Sequence, residues 1–168
     1  MCLQLTEIEV LFIKVLVDGH YGMSNLGDDL IFITLVKWLN RYNTIKVSAI
    51  LHGKDQYSHD LNLKYIPIIL PVNKVLKTLV LIKNIITSDV IIIGGGGLFP
   101  SGFNKRIYFT VNMAYLFRKK IVLFGVGIDT INVLHFSKWN KILSKTNLIA
   151  VRDSYSKKNL LKVNNFSK

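Results

Sequence analysis

Short, nearly continuous apolar runs alternate along the chain with longer segments of helical period. Short β-branched runs, apolar at nearly every position, lie at Leu11–Asp18, Ile45–Leu51, Ile66–Leu70, Asp89–Ile93, Lys120–Phe124 and Leu148–Val151 and predict strands. Between them, helical spacing predicts helices over Gly27–Tyr42, Val72–Thr87, Lys105–Arg118, Phe136–Lys145 and Ser154–Lys162. The polar segment His52–Tyr65 is expected to be loop or a short helix. Several strands lack in/out alternation, the pattern of strands covered by helices on both faces. Regular strand–helix alternation then predicts an α/β fold, a doubly wound Rossmann-like parallel sheet with right-handed crossovers. The most apolar stretch, Val75–Ile93, is broken by Lys77, Lys83, Asn84 and Asp89. It is expected to be a buried helix running into a buried strand, not a membrane span. No repeat, low-complexity tract or long linker divides residues 1–168, so they read as a single domain.

Composition narrows the partners more than the fold. The 168 residues, half of them hydrophobic and 19% charged, suffice for one such domain with a core and exclude a disordered chain. A net charge of +12 favours anionic partners: nucleic acid, an acidic membrane surface, or phosphorylated and carboxylated substrates. It is equally the mark of a Lys-rich composition that keeps a protein soluble. Cys2 is the single cysteine, which excludes an internal disulfide and a Cys-based zinc site and fits a cytoplasmic location. The first residues carry Glu7, Glu9 and Lys14 and make a poor signal peptide.

Ligands of an open parallel sheet bind at the carboxyl ends of its strands, and three glycine-bearing turns are expected there. "GHYGMSNLGDD" follows the first strand, "GGGGLFPSG" from Gly94 to Gly102 follows "DVIII", and "GVGID" from Gly125 to Asp129 follows "IVLF". Glycine lets backbone N–H groups approach a ligand closely, and a following helix N-terminus attracts anions. Three such turns on one edge point to a binding cleft. Standard nucleotide fingerprints fail: G-x-G-x-x-G from Gly94, Gly95 or Gly125 would need glycine at Phe99, Pro100 or Thr130. Strand two ends at Leu51-His52 without an acid for a ribose, and Gly53-Lys54 is followed by Asp55, so no P-loop is present.

Particular side chains on this edge have both a plain and a chemical reading. Asn25 or Asp28 could cap the helix that follows the first turn. His20 is a candidate proton carrier near neutral pH. His52, His59 and His135 lack metal-ligand spacing and read as surface residues, so no metal site is expected. Arg152, in "AVRDSYS", would reach the ligand edge, where its paired N–H groups suit a carboxylate or phosphate. The alternative is a local surface pair with Asp153, which with Ser154 is a candidate cap of the last helix. Lys105, Arg106, Arg118, Lys119 and Lys120 read mostly as helix-face or strand-entry charges. No aromatic interleaving supports nucleic-acid binding.

Taken together, "GHYGMSNLGDDLI", "DVIIIGGGGLF", "KKIVLFGVGI" and "IAVRDSYSKKNL" resemble, in order and spacing, the N-terminal half of the polysaccharide pyruvyl transferase family. The resemblance covers Val17 to Leu161. It implies the N-terminal domain of a two-domain, GT-B-like fold, with no counterpart of the second domain in this sequence. A truncated or split gene product, or a partner chain supplying the other half, is the corresponding expectation. The implied reaction moves the enolpyruvyl unit of phosphoenolpyruvate onto two hydroxyls of a cell-wall or capsule sugar, forming a pyruvate ketal. It requires no cofactor beyond phosphoenolpyruvate as donor substrate. On this resemblance Arg152 is the donor-anion contact, and His20 and Asp28 are the acid–base candidates. Gly19, Tyr21, Gly22, Asn25, Gly27, Gly94, Gly95, Gly96, Gly97, Gly125 and Gly127 would shape the cleft. The implied acceptor is a lipid-linked or nucleotide-linked sugar, and the basic charge would suit peripheral contact with an anionic membrane, at its inner face. Two rivals stand beside this reading: a glycosyltransferase of the same architecture using a nucleotide sugar, and a non-catalytic half-domain that binds a glycan or a partner.

Overall fold

The computed structural model describes residues 11–23, 25–53, 57, 61–95, 105–128 and 136–164. Its strands are β1 (Ile13–Gly19), β2 (Ile45–Leu51), β3 (Ile66–Ile69), β4 (Val90–Gly94), β5 (Lys120–Val126) and β6 (Leu148–Val151). Its described helices are α1 (Leu26–Leu39), α2 (Lys74–Thr87), α3 (Lys105–Leu116), α4 (Phe136–Leu143) and α5 (Ser154–Asn164). The strands form one six-stranded sheet in the order β3-β2-β1-β4-β5-β6. Every neighbouring pair is parallel. The strand order reverses between β1 and β4, whose last residues pair as Gly19↔Gly94. This is the expected Rossmann-like doubly wound sheet, with its switch point at the two glycine turns.

Residues of one strand alternate between two cores. Val15 and Val17 of β1 pack with Val47, Ala49 and Ile92 against Phe32, Leu35, Val36 and Leu39 of α1. Leu16 faces the other way, with Ile91, Ile93, Ile121 and Leu123, against Leu81 and Ile85 of α2, Ile107 and Val111 of α3, and Trp139 of α4. Both faces are apolar, so the central strands show no polar alternation in sequence. The period of two has a consequence one step further along: Asp18 falls on the Leu16 side, the side that α3 covers.

Two expectations change. α2 is not a buried helix: Leu81 and Ile85 are buried, but Val75, Leu76 and Leu79 are exposed. The helix starts on Asn73, whose side-chain oxygen accepts from the N–H groups of Val75 (2.9 Å) and Leu76 (3.2 Å). The third glycine turn also begins later than expected. β5 runs through Gly125, which has φ +63° and sits where the β5–β6 register shifts. That bulge bends the strand end. Among the described residues, no helix is long and apolar enough to cross a membrane.

Candidate functional site

The carboxyl ends of β1, β4, β5 and β6 gather nearly all the candidate residues on one edge. The loop after β1 is held down by three sets of contacts. Gly22 has φ +76°, and its N–H donates to the buried carboxylate of Asp29 at 2.9 Å. His52 N–H donates to the Tyr21 carbonyl at 3.0 Å, tying this loop to the end of β2. A side chain at Gly53 would lie 2.2 Å from the Gly22 carbonyl, so the two loops touch backbone to backbone.

Tyr21, expected as a substrate contact, is fully buried. Its ring packs at a tilt against Phe32, with centroids 4.7 Å apart. It also fills the space that side chains would need at three glycines. A Cβ at Gly19 would meet its Cζ at 2.4 Å, at Gly94 its hydroxyl at 2.9 Å, and at Gly95 its Cε1 at 2.8 Å. Those glycines therefore make room for a tyrosine of the fold itself. The Tyr21 hydroxyl has no hydrogen-bond partner among the described residues. Its pKa is raised well above the ordinary phenol value by burial, and then by the Asp18 and Asp28 carboxylates.

The remaining glycines differ among themselves. A Cβ at Gly125 would press on Ile31 at 3.1 Å, and one at Gly127 would meet the Arg152 guanidinium at 3.1 Å. Gly27 faces open space, with only Asn25 Oδ1 at 3.7 Å. Gly96 and Gly97 lie outside the described residues.

Beneath the loop is an ion pair that sequence reasoning missed. Arg106, read from sequence as a helix-face charge, turns inward from α3. Its Nη1 lies 3.0 Å from Oδ1 of Asp18, which is wholly buried at the end of β1. Its Nη2 donates to the Gly19 carbonyl at 3.2 Å. Thr110, one turn along α3, donates to Asp18 Oδ2 at 3.4 Å, a long contact. The signal lay in "VLVD": a carboxylate ending a buried run needs a partner on the covering helix. His52 was also misread. It is half-buried rather than a surface histidine, and its ring stacks on that of His20 at 5.8 Å. Burial lowers its pKa, and the Arg106 charge lowers it further.

Asp28 lies within electrostatic range of two other expected site residues, His20 and Arg152. It leaves 6% of its surface exposed at the third position of α1. Burial raises its pKa and Asp29 raises it further, while His20 and Arg152 oppose the rise. Asn25 occupies the N-cap position but makes no side-chain cap; its Nδ2 instead donates to Asp28 Oδ2 at 3.0 Å. Neither Asn25 nor Asp28 therefore caps α1 through its side chain.

Arg152 is half-exposed, and its Nε lies 3.0 Å from Asp153 Oδ2. The local surface pair thus exists, yet the guanidinium also lies across Gly127, at the ligand edge. Asp153 caps α5 as expected, its Oδ1 accepting from Ser156 N–H at 2.7 Å. That bond, first, and then Arg152 hold the Asp153 pKa below its ordinary value. Ser156 and Asn159 of α5 in turn grip Ile128, its N–H and its carbonyl, at 2.9 Å each. The Arg152 and Gly127 turns are thereby locked together. A cavity of about 350 Å³ opens here, lined by Leu30, Ile31 and Thr34 of α1 and by Phe124, Gly125 and Arg152. Among the described residues no cluster of His, Cys, Asp and Glu could hold a metal ion.

Comparison with known proteins gives the chain a family and a shared fold. The family model of polysaccharide pyruvyl transferase matches residues 25–168. The chain therefore belongs to the polysaccharide pyruvyl transferase family. The match begins at Asn25, inside the first loop, so His20, Tyr21 and Gly22 precede it. No curated protein sequence matches significantly. Among solved structures, a protein assigned as a UDP-N-acetylglucosamine 2-epimerase from Listeria monocytogenes aligns with TM-score 0.60 at 15% identity over 90% of this chain. UDP-GlcNAc 2-epimerase from Neisseria meningitidis, bound to UDP-GlcNAc, aligns with TM-score 0.57 at 15% identity over 89%. These similarities bear on the fold. The chain spans 42% and 43% of those two proteins.

Proposed function

We propose that this edge is one wall of a site that moves the pyruvyl unit of phosphoenolpyruvate onto a sugar of a cell-wall or capsular glycan. The observation that carries the reading is Asp28: a buried carboxyl with a raised pKa, acted on by both His20 and Arg152, in a chain of this family. A carboxyl that resists ionisation can stay protonated long enough to act as a general acid. Arg152, half-exposed over the cavity rim, suits the carboxylate or phosphate of the donor. Gly27 leaves the first turn of α1 open to backbone approach by an anion.

The chemistry balances with these groups. Asp28 gives a proton to the methylene carbon of phosphoenolpyruvate, and positive charge develops at C2. One sugar hydroxyl adds to C2 and loses its proton to a base, for which His20 at the exposed mouth is the candidate. The C2–O bond to phosphate breaks, and the second hydroxyl adds to C2 and closes the ketal. Two hydroxyl protons are lost and one is gained at carbon, so the remaining proton leaves with phosphate. The acceptor is a lipid-linked or nucleotide-linked sugar. Exposed Met23, Leu26 and Leu30 surround the first turn of α1 and suit a second domain or partner chain closing over the edge.

The fold shared with a UDP-GlcNAc-bound protein favours a second reading, a transferase taking a nucleotide sugar. One assay on the full-length protein separates the two. Acceptor-dependent release of inorganic phosphate from phosphoenolpyruvate, lost in Asp28→Asn, supports the first. Release of nucleoside diphosphate from a nucleotide sugar, with no phosphate from phosphoenolpyruvate, replaces it with the second.

A further inference from the structure

The edge opposite the site carries two grooves and a different chemistry. All six strands are parallel, so their amino ends share one edge with the carboxyl ends of α1 to α4. One groove there, of about 680 Å³, is lined by Arg118, Lys119 and Lys120 at the end of α3 and by Lys145 after α4. Tyr115, Leu116 and Leu148 stand exposed around it. A second groove, of about 420 Å³, is lined by Tyr42, Lys46 and Lys64 at the starts of β2 and β3. Exposed Trp38 packs on Tyr42 with ring centroids 5.6 Å apart, and Lys46 Nζ lies 3.9 Å above the Phe12 ring.

Acidic residues are placed the other way. Of the described carboxylates, Asp18, Asp28, Asp29 and Asp153 lie at the site edge, and Asp89 alone lies at the basic edge. Asp89 is already engaged, accepting from the Lys14 backbone N–H at 2.8 Å. Part of the cation placement follows from helix ends, where basic residues are favoured. That does not account for the leucines, tyrosines and tryptophan exposed among them.

We propose that this edge docks on an anionic bilayer surface, with the basic groups on lipid phosphates and Trp38, Leu116 and Leu148 at the headgroup boundary. Cations mixed with aromatic and aliphatic side chains are the composition of an interfacial anchor. A second copy of this chain is disfavoured, because two such edges would repel. Nucleic acid would leave the exposed leucines without a role. The inference is independent of what the site edge does.

Vesicles of phosphatidylcholine, and of equal parts phosphatidylcholine and phosphatidylglycerol, test it by co-sedimentation with the whole chain. Binding is expected to the anionic vesicles only, weakening as salt rises. The double variant R118Q/K120Q should lower partition by at least about tenfold, since each surface cation contributes roughly fivefold. The double variant K157Q/K158Q, on exposed α5, should change it far less. Tryptophan emission reads the face without any variant: Trp139 is buried at 2% and Trp38 is 50% exposed, so a blue shift on vesicles reports Trp38. Equal loss in both variants, binding to neutral vesicles as well, or an unshifted emission would overturn the proposal. So would tighter, edge-dependent binding of a short RNA duplex without vesicle binding, or self-association through this edge.

Discussion

The two edges of this sheet are built from opposite economies of space. At the carboxyl edge the backbone is crowded: Tyr21 fills the room at Gly19, Gly94 and Gly95, and Arg106 is sealed beneath it against Asp18. At the amino edge, Arg118, Lys120 and their neighbours stand in open grooves on helix ends. The Asp18–Arg106 charges are buried and geometrically fixed at one edge, while Arg118 and Lys120 are exposed at the other. The difference predicts which edge is sensitive to single substitutions and which responds only to the sum of several.

The largest effect should come from breaking the buried pair. Arg106→Met leaves the Asp18 carboxylate without its cation and should cost about 3–5 kcal/mol of stability, read from urea unfolding. Replacing both, Asp18→Leu with Arg106→Met, should recover much of that loss. A loss below about 1 kcal/mol, the range of an exposed pair, would show that Arg106 is not sealed in. The same treatment of the other edge supplies the contrast: Lys120→Gln should stay within about 0.5 kcal/mol of the native chain.

The glycines sharpen the comparison within the site edge. Gly19→Ala places a Cβ 2.2 Å from the Gly94 carbonyl and 2.4 Å from Tyr21 Cζ, and should destabilise by about 1–3 kcal/mol. Gly27→Ala meets nothing closer than 3.7 Å in a helical turn, and should stabilise by up to about 1 kcal/mol. If the open space at Gly27 serves a donor anion, the same Gly27→Ala chain binds phosphoenolpyruvate more weakly while being more stable. Equal stability changes at the two positions would erase the distinction between packing and open glycines.

Arg152→Ala separates affinity from stability. Its partner Asp153 is exposed, so loss of the pair should leave folding stability nearly unchanged. Donor affinity, measured by titration with phosphoenolpyruvate, should fall about tenfold or more, from a charge-assisted contact of roughly 1.5–3 kcal/mol. Unchanged affinity removes Arg152 from the donor site.

The sheet was legible in the sequence because its central strands are apolar on both faces and its turns are marked by glycine. The three glycine turns were legible as an edge for the same reason. What each glycine does was not, because that depends on the side chain lying against it. Nothing in the "GHYG" spelling says that Tyr21 folds back over Gly19 and across to Gly94 on another strand. Arg106 was hidden for a related cause: 87 residues separate it from the Gly19 carbonyl, and a basic residue beside Lys105 at the start of a helix looks like any exposed one. The exposed face of α2 was misjudged because apolar content alone does not say which face a neighbour covers.

The smallest effect, and the one that tests the proposed acid most directly, is the pH dependence of Asp28. Its folded pKa is raised by burial, so the folded chain holds this proton more tightly than the unfolded chain does. Stability from this group is therefore fully present below the ordinary carboxylate value of about 3.9 and is lost as pH rises through the raised folded value. Asp28→Asn cannot ionise, so it should be more stable than the native chain at neutral pH. That advantage should shrink toward zero in acid, where native Asp28 is protonated in both states. Urea midpoints at neutral and acid pH read the difference, with Asp153→Asn as the control of opposite sign. Asp153 has a lowered folded pKa, so its substitution should destabilise at neutral pH, and that cost should fade in acid. If Asp28→Asn instead destabilises at neutral pH, the carboxylate is favoured in the fold, and Asp28 is not the group that carries the proton.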